Sequence, residues 1–131
     1  MTKNEIIEYW INSSDKDFLA MKHLFESQDY SWALFIGHLV IEKLIKAYYV
    51  KSVADNPPRH HNLLYLAEKT NLIISEKQKD DLQLITTFNL NARYPDYKQD
   101  FYKKCTKEYT SDNIEKIREL RSWLMKELQK K

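Results

Sequence analysis

Residues 32–50, Trp-Ala-Leu-Phe-Ile-Gly-His-Leu-Val-Ile-Glu-Lys-Leu-Ile-Lys-Ala-Tyr-Tyr-Val, decide the fold of this 131-residue chain. Trp32, Phe35, Ile36, Leu39, Val40, Leu44 and Ala47 recur at helical spacing on one face, with Ile41, Ile45, Tyr48 and Tyr49 beside it. A helix that is apolar on nearly every side is central and meets neighbours around most of its circumference. In so small a bundle, the second contact surface is expected to be another subunit. His38, Glu42, Lys43 and Lys46 interrupt the stretch, whereas a membrane span needs roughly 20 nearly charge-free residues. The chain's one glycine, Gly37, lies inside this helix, where it costs about 1 kcal/mol relative to alanine. A missing Cβ at that point predicts close approach of another helix.

Working outward, Ile7, Ile11, Ser14, Phe18, Met21 and Phe25 form an amphipathic stripe of alternating three- and four-residue steps. The stripe keeps its phase through Asn12-Ser13-Ser14-Asp15 and predicts one long helix over about 3–27. A turn at 28–31, capped by Asp29 or Ser31, leads into the central helix, which ends near Val53. Pro57-Pro58 forbid continuation. A short third helix is expected over about 61–70. Ser75-x-x-Gln78 reads as a capping box opening a fourth helix over about 76–89. Residues 91–97 read as a loop held by Pro95, with a further helical turn in 100–107. Asp112-x-x-Glu115 reads as the cap of a last helix over 113–130, with Ile114, Ile117, Leu124 and Leu128 inward. The pattern predicts an all-α, up-and-down bundle of four to five helices forming a single domain over 1–131.

One glycine and three prolines leave few sites for the turns that parallel α/β folds and β-sandwiches need, and no glycine-rich phosphate loop can be written. A net charge of +2 is too small to mark a dedicated DNA-binding module. Cys105 is the only cysteine, so no disulfide can form within the chain, which fits a reducing cytoplasm. His60 and His61 are adjacent and diverge, and His23 and His38 lie elsewhere, so no metal-ligand spacing exists and no metal or cofactor is expected.

Two groups of residues are candidates for chemistry. His38, Glu42 and Lys46 share one strip of the central helix, with Lys43 alongside. Glu42 and Lys46 suit an ordinary i,i+4 ion pair. As the sole polar line on a buried helix, the strip is otherwise expected to face a cleft, a partner or solvent, because burying such groups unpaired is costly. The second group is the loop at Arg93, Tyr94, Pro95 and Asp96. Its arginine suits bidentate grip of a phosphate beside an aromatic ring that can stack on a base. The bland alternative pairs Arg93 with Asp96 or with a helix-end carbonyl.

These pieces combine into a family resemblance. Residues 35–47, ending in Glu42-Lys43-x-x-Lys46-Ala47, resemble the central signature of the HEPN domain. Trp10, Ser14 and Asp17 resemble the family's spaced residues on helix 1. His61-Asn62-Leu63 with Leu66 looks like the element that opens its third helix, and Ala92-Arg93-Tyr94-Pro95-Asp96 resembles its "ARYP" loop. The resemblance spans about 5–125 in the same order.

The resemblance implies a nucleotidyltransferase substrate-binding-subunit-like bundle that dimerises and creates a cleft between subunits. It implies binding of a nucleotide or RNA, and partnership with a small nucleotidyltransferase, often as a toxin–antitoxin system. The implied ligand site comprises Arg93, Tyr94, Asp96, Lys43, Lys46, His38, Glu42 and His61. Family ribonucleases use Arg-x4–6-His. Arg93 matches the arginine, but Lys98, Gln99 and Asp100 stand where the histidine would fall. The expected protein is therefore a non-catalytic homodimer, with no catalytic residue assigned. The alternatives are a metal-independent ribonuclease pairing Arg93 with a non-standard acid or base such as His38 or His61, and a purely structural helical dimer.

Overall fold

The computed structural model describes residues 1–131, which form six helices and no strand: α1 (Lys3–Glu26), α2 (Tyr30–Ser52), α3 (Leu63–Glu68), α4 (Glu76–Arg93), α5 (Pro95–Lys104) and α6 (Lys107–Gln129). α1 is continuous through Ser13, as its unbroken stripe predicts. Thr2 and Glu5 form a capping box at its start. It ends where Gln28 adopts φ 66° and the amide of Asp29 donates back to the Leu24 carbonyl at 2.8 Å. A side chain in the left-handed region is unfavourable, and this bond, with that from the Gln28 amide to the Phe25 carbonyl at 3.1 Å, holds it there.

α2 packs against α1, α6 and α4, with α3 and α5 against its remaining sides. Helices of its own chain thus cover much of its circumference, while Phe35, Ile36, Leu39, Tyr48 and Tyr49 stay partly exposed. Twelve of its residues are buried, from Ala33 to Val50. Trp32 departs from the expected face and is exposed, because it lies in the first turn, beyond the core. Gly37 behaves as its position predicts. A Cβ there would overlap Cδ1 of Ile117 on α6 and lie 3.1 Å from Sδ of Met21 on α1.

The α1 residues of the family pattern each meet α2. Nζ of Lys46 sits 5.4 Å from the Trp10 ring centroid. The Ser14 hydroxyl, fully buried, donates to the Val40 carbonyl at 2.8 Å. Lys43 donates to Asp17 at 2.6 Å. Together they fix the register of α1 on α2.

Several expected boundaries shift. α3 is shorter than expected and is capped by Asn62. The Ser75–Gln78 capping box opens α4 as predicted, but α4 continues to Arg93, so Arg93 ends a helix and is not on a loop. Pro95 occupies the first turn of α5, where its missing N–H costs nothing. Tyr94 is extended at the joint, as the residue before proline prefers. α6 starts at Lys107 with Thr106 as its cap, accepting from the Tyr109 amide at 3.1 Å. Asp112 and Glu115 are therefore interior helical residues, and six helices replace the expected four to five.

Candidate functional site

His38, Glu42 and Lys46 of the polar strip are buried, contrary to the expectation that the strip faces a cleft, partner or solvent, and most of their polar atoms are paired within the strip or with His61. Glu42 is only 4% exposed. One carboxylate oxygen accepts from Lys46 Nζ at 3.1 Å and the other bonds His61 Nδ1 at 2.7 Å. The His38 ring is fully buried, and its Nε2–H donates to the His61 carbonyl at 2.8 Å. Nε2 also lies 3.7 Å from Glu42. These bonds, with the Leu63 amide donating to Thr86 Oγ1 at 3.0 Å, pin the end of the Pro57–Asn62 loop onto α2 and α4.

His38 Nδ1 has no hydrogen-bond partner. Burial pushes the His38 pKa below its ordinary 6.5. The His61 carbonyl and Glu42 oppose the shift, while the charges of His61 and Arg93 add to it. The unfolded chain therefore takes a proton that the folded ring refuses. This contribution to stability is complete above about pH 6.5 and declines as the pH falls below it. Denaturation midpoints from pH 8 to 5 are expected to drop more steeply for wild type than for His38→Gln, which can still donate to His61. Parallel profiles would refute this.

Arg93 stands at the last turn of α4. Its Nε–H reaches the Asn89 carbonyl at 3.2 Å and Oδ1 at 3.0 Å, and Nη2 also donates to Oδ1. The guanidinium lies 5.8 Å from the Phe35 ring centroid and 5.4 Å from that of Tyr94. The helix-carbonyl alternative describes this pairing, and Asp96 takes no part in it. Asp96 and Tyr94 are exposed at the start of α5. Lys43 is engaged by Asp17, and Lys46 by Glu42 and Trp10.

Asn89 joins the two groups. It anchors Arg93 and also lines, with Arg59, His60, His61, Asn62 and Thr86, a depression of about 330 Å3. Sequence reading missed Asn89, although four-residue spacing to Arg93 would mark it once α4 is extended to Arg93. Thr86 carries no local signal, since its partner Leu63 lies 23 residues away. His61, by contrast, is placed beside Glu42 and His38.

The fold and this cluster define an all-helical bundle domain whose central helix carries buried polar groups toward a shallow surface site. A family model for the HEPN domain matches residues 7–128, and the chain belongs to that family. Comparisons with curated proteins and with solved structures return no match. No helix is long and apolar enough to cross a membrane.

Proposed function

We propose that residues 1–131 act as a single HEPN domain, a cytoplasmic, non-catalytic homodimer that binds the phosphate of a nucleotide or RNA. Its proposed partner is a small nucleotidyltransferase, within a toxin–antitoxin-type system. The observation that carries the binding reading is Arg93. Its guanidinium is held by Asn89, flanked by two aromatic rings, and bonded to no carboxylate. A cation already oriented and free of an acidic partner loses little on gripping a phosphate. Tyr94 supplies an exposed ring beside it, and His61 lines the depression that Asn89 joins to it. His38, Glu42 and Lys46 act from beneath as the buried support, while Lys43 is tied to Asp17 and Asp96 lies exposed beside Tyr94.

Calorimetry at low salt with a panel of nucleotides and a short RNA tests this reading, with light scattering on the same samples giving the mass. Binding is expected to weaken with added salt and to fall about tenfold or more in Arg93→Ala, the size of one charge-assisted contact. No binding to any member of the panel removes the proposal.

The Glu42–His61 pair favours the enzymatic alternative as a second reading. A carboxylate holding Nδ1 leaves Nε2 free to take a proton, an arrangement used in general base catalysis. Purified protein incubated with RNA under chelator decides between the two readings. Intact RNA retains the binding reading, whereas cleavage lost in both Arg93→Ala and His61→Phe establishes the ribonuclease.

A further inference from the structure

Two adjacent histidines on the rim of the depression are fixed in opposite tautomers. His61 donates Nδ1–H to Glu42 at 2.7 Å, an oxygen that Lys46 leaves free by pairing with the carboxylate's other side. In the neutral ring, Nε2 is then bare and can only accept. His60 is the reverse. Its Nδ1 accepts from the Asn62 amide at 3.0 Å, so its Nε2 carries the hydrogen and can only donate. The His60 ring is held by stacking on Tyr65, with centroids 4.5 Å apart. Both histidines line the depression, next to the guanidinium-bearing Arg59. The His61 side chain is 62% exposed, although its Nδ1 is anchored to a buried acid.

We infer that this depression takes the ribose of a ribonucleotide, with His61 Nε2 accepting from the 2′-hydroxyl and so separating RNA from DNA. The inference rests on the nucleotide-binding reading above and names the sugar that the site selects. An acceptor fixed by a buried carboxylate calls for a donor on the ligand. The 2′-hydroxyl is the donor that RNA has and DNA lacks. His60 Nε2–H supplies the complementary donor for a neighbouring sugar or phosphate oxygen, and Arg59 the charge for the phosphate. A second cleft, of about 570 Å3 and lined by Trp32 on α2 and Tyr102 on α5, offers Lys98 and the Asp29 carboxylate, but no histidine.

The test compares octaadenylate in three sugar forms, ribo, deoxy and 2′-O-methyl, by fluorescence polarisation at low salt and pH 8. The wild type is expected to bind the ribo form about tenfold more tightly than either other form, the worth of one hydrogen bond lost with its acceptor left unpaired. The 2′-O-methyl form keeps the oxygen but loses the donor, which separates hydroxyl recognition from strand shape. His61→Phe, with its fold checked by circular dichroism because it leaves Glu42 Oε1 without this partner, is expected to bind all three forms equally. Equal binding of the three forms by wild type, or a preference that survives in His61→Phe, overturns this inference alone. Binding of none of them by wild type overturns both this inference and the reading on which it rests.

Discussion

Glu42→Ala is expected to lose about 3–5 kcal/mol of stability, the range for breaking a buried ion pair from one side. The carboxylate is buried and bonds both Lys46 and His61. Without it, Lys46 keeps a charge between α1 and α2 with only the face of Trp10 to meet it, and the 59–62 segment loses one of its ties to α2. Glu42→Gln keeps a hydrogen-bonding group and is expected to lose less, about 1–3 kcal/mol. Replacing the pair together, as Glu42→Leu with Lys46→Met, is expected to recover most of the loss, because no uncompensated charge remains. Urea unfolding of the four proteins measures this. A Glu42→Ala variant within 1 kcal/mol of wild type would show that water reaches Lys46 and that the strip is not a buried network.

Gly37→Val is the second substitution with a large expected effect. Its Cβ alone would overlap Ile117 Cδ1 and press on Met21 Sδ, and both neighbours are fully buried. Overpacking of a tight core costs about 1–3 kcal/mol, occasionally more, and the branched methyl groups place valine at or above the top of that range. Gly37→Ala is milder, because the helix gains about 1 kcal/mol from losing glycine. Ile117→Val removes the Cδ1 that the new Cβ meets. The Gly37→Ala/Ile117→Val protein is therefore expected to be more stable than the sum of its single changes predicts, by an interaction energy above about 0.5 kcal/mol. Strict additivity would mean that α6 does not approach α2 through position 37.

Much of this packing is visible in the sequence because it is local. Residues 32–50 announce a central helix by composition, Ser75 and Gln78 announce a helix start by their spacing, and Gly37 announces a close approach because nothing else justifies glycine there. Errors arise where two local signals compete. Thr106 and Asp112 both suit a helix cap, and the chain uses the earlier one. Pro95 reads equally well as a loop residue or as the first residue of a helix, and taking it as the former hides the Asn89–Arg93 pair. The site itself is only half legible. His38, Glu42 and Lys46 follow from helical spacing, but the Glu42–His61 bond joins residues 19 apart across Pro57-Pro58. The family resemblance brings His61 into the candidate set, and the opposite tautomers of His60 and His61 emerge only from the folded hydrogen-bond network.

The order of the helices along the chain bears on how the protein reaches this fold. α1 and α2 are neighbours in sequence, joined by a three-residue turn, and the Ser14–Val40 and Asp17–Lys43 bonds form within that hairpin. α6 packs onto α2, beside α1, only after the chain has passed through α3, α4 and α5. Closing a long loop costs more entropy than closing a short one, so local contacts are favoured early. The α1–α2 hairpin is the natural folding nucleus, and the arrival of α6 at Gly37 is the late step. Changes at Ser14 or Met21 should then slow folding, whereas changes at Ile117 should mainly hasten unfolding. The same glycine that lets α6 come close thereby governs how long the folded state lasts more than how quickly it forms.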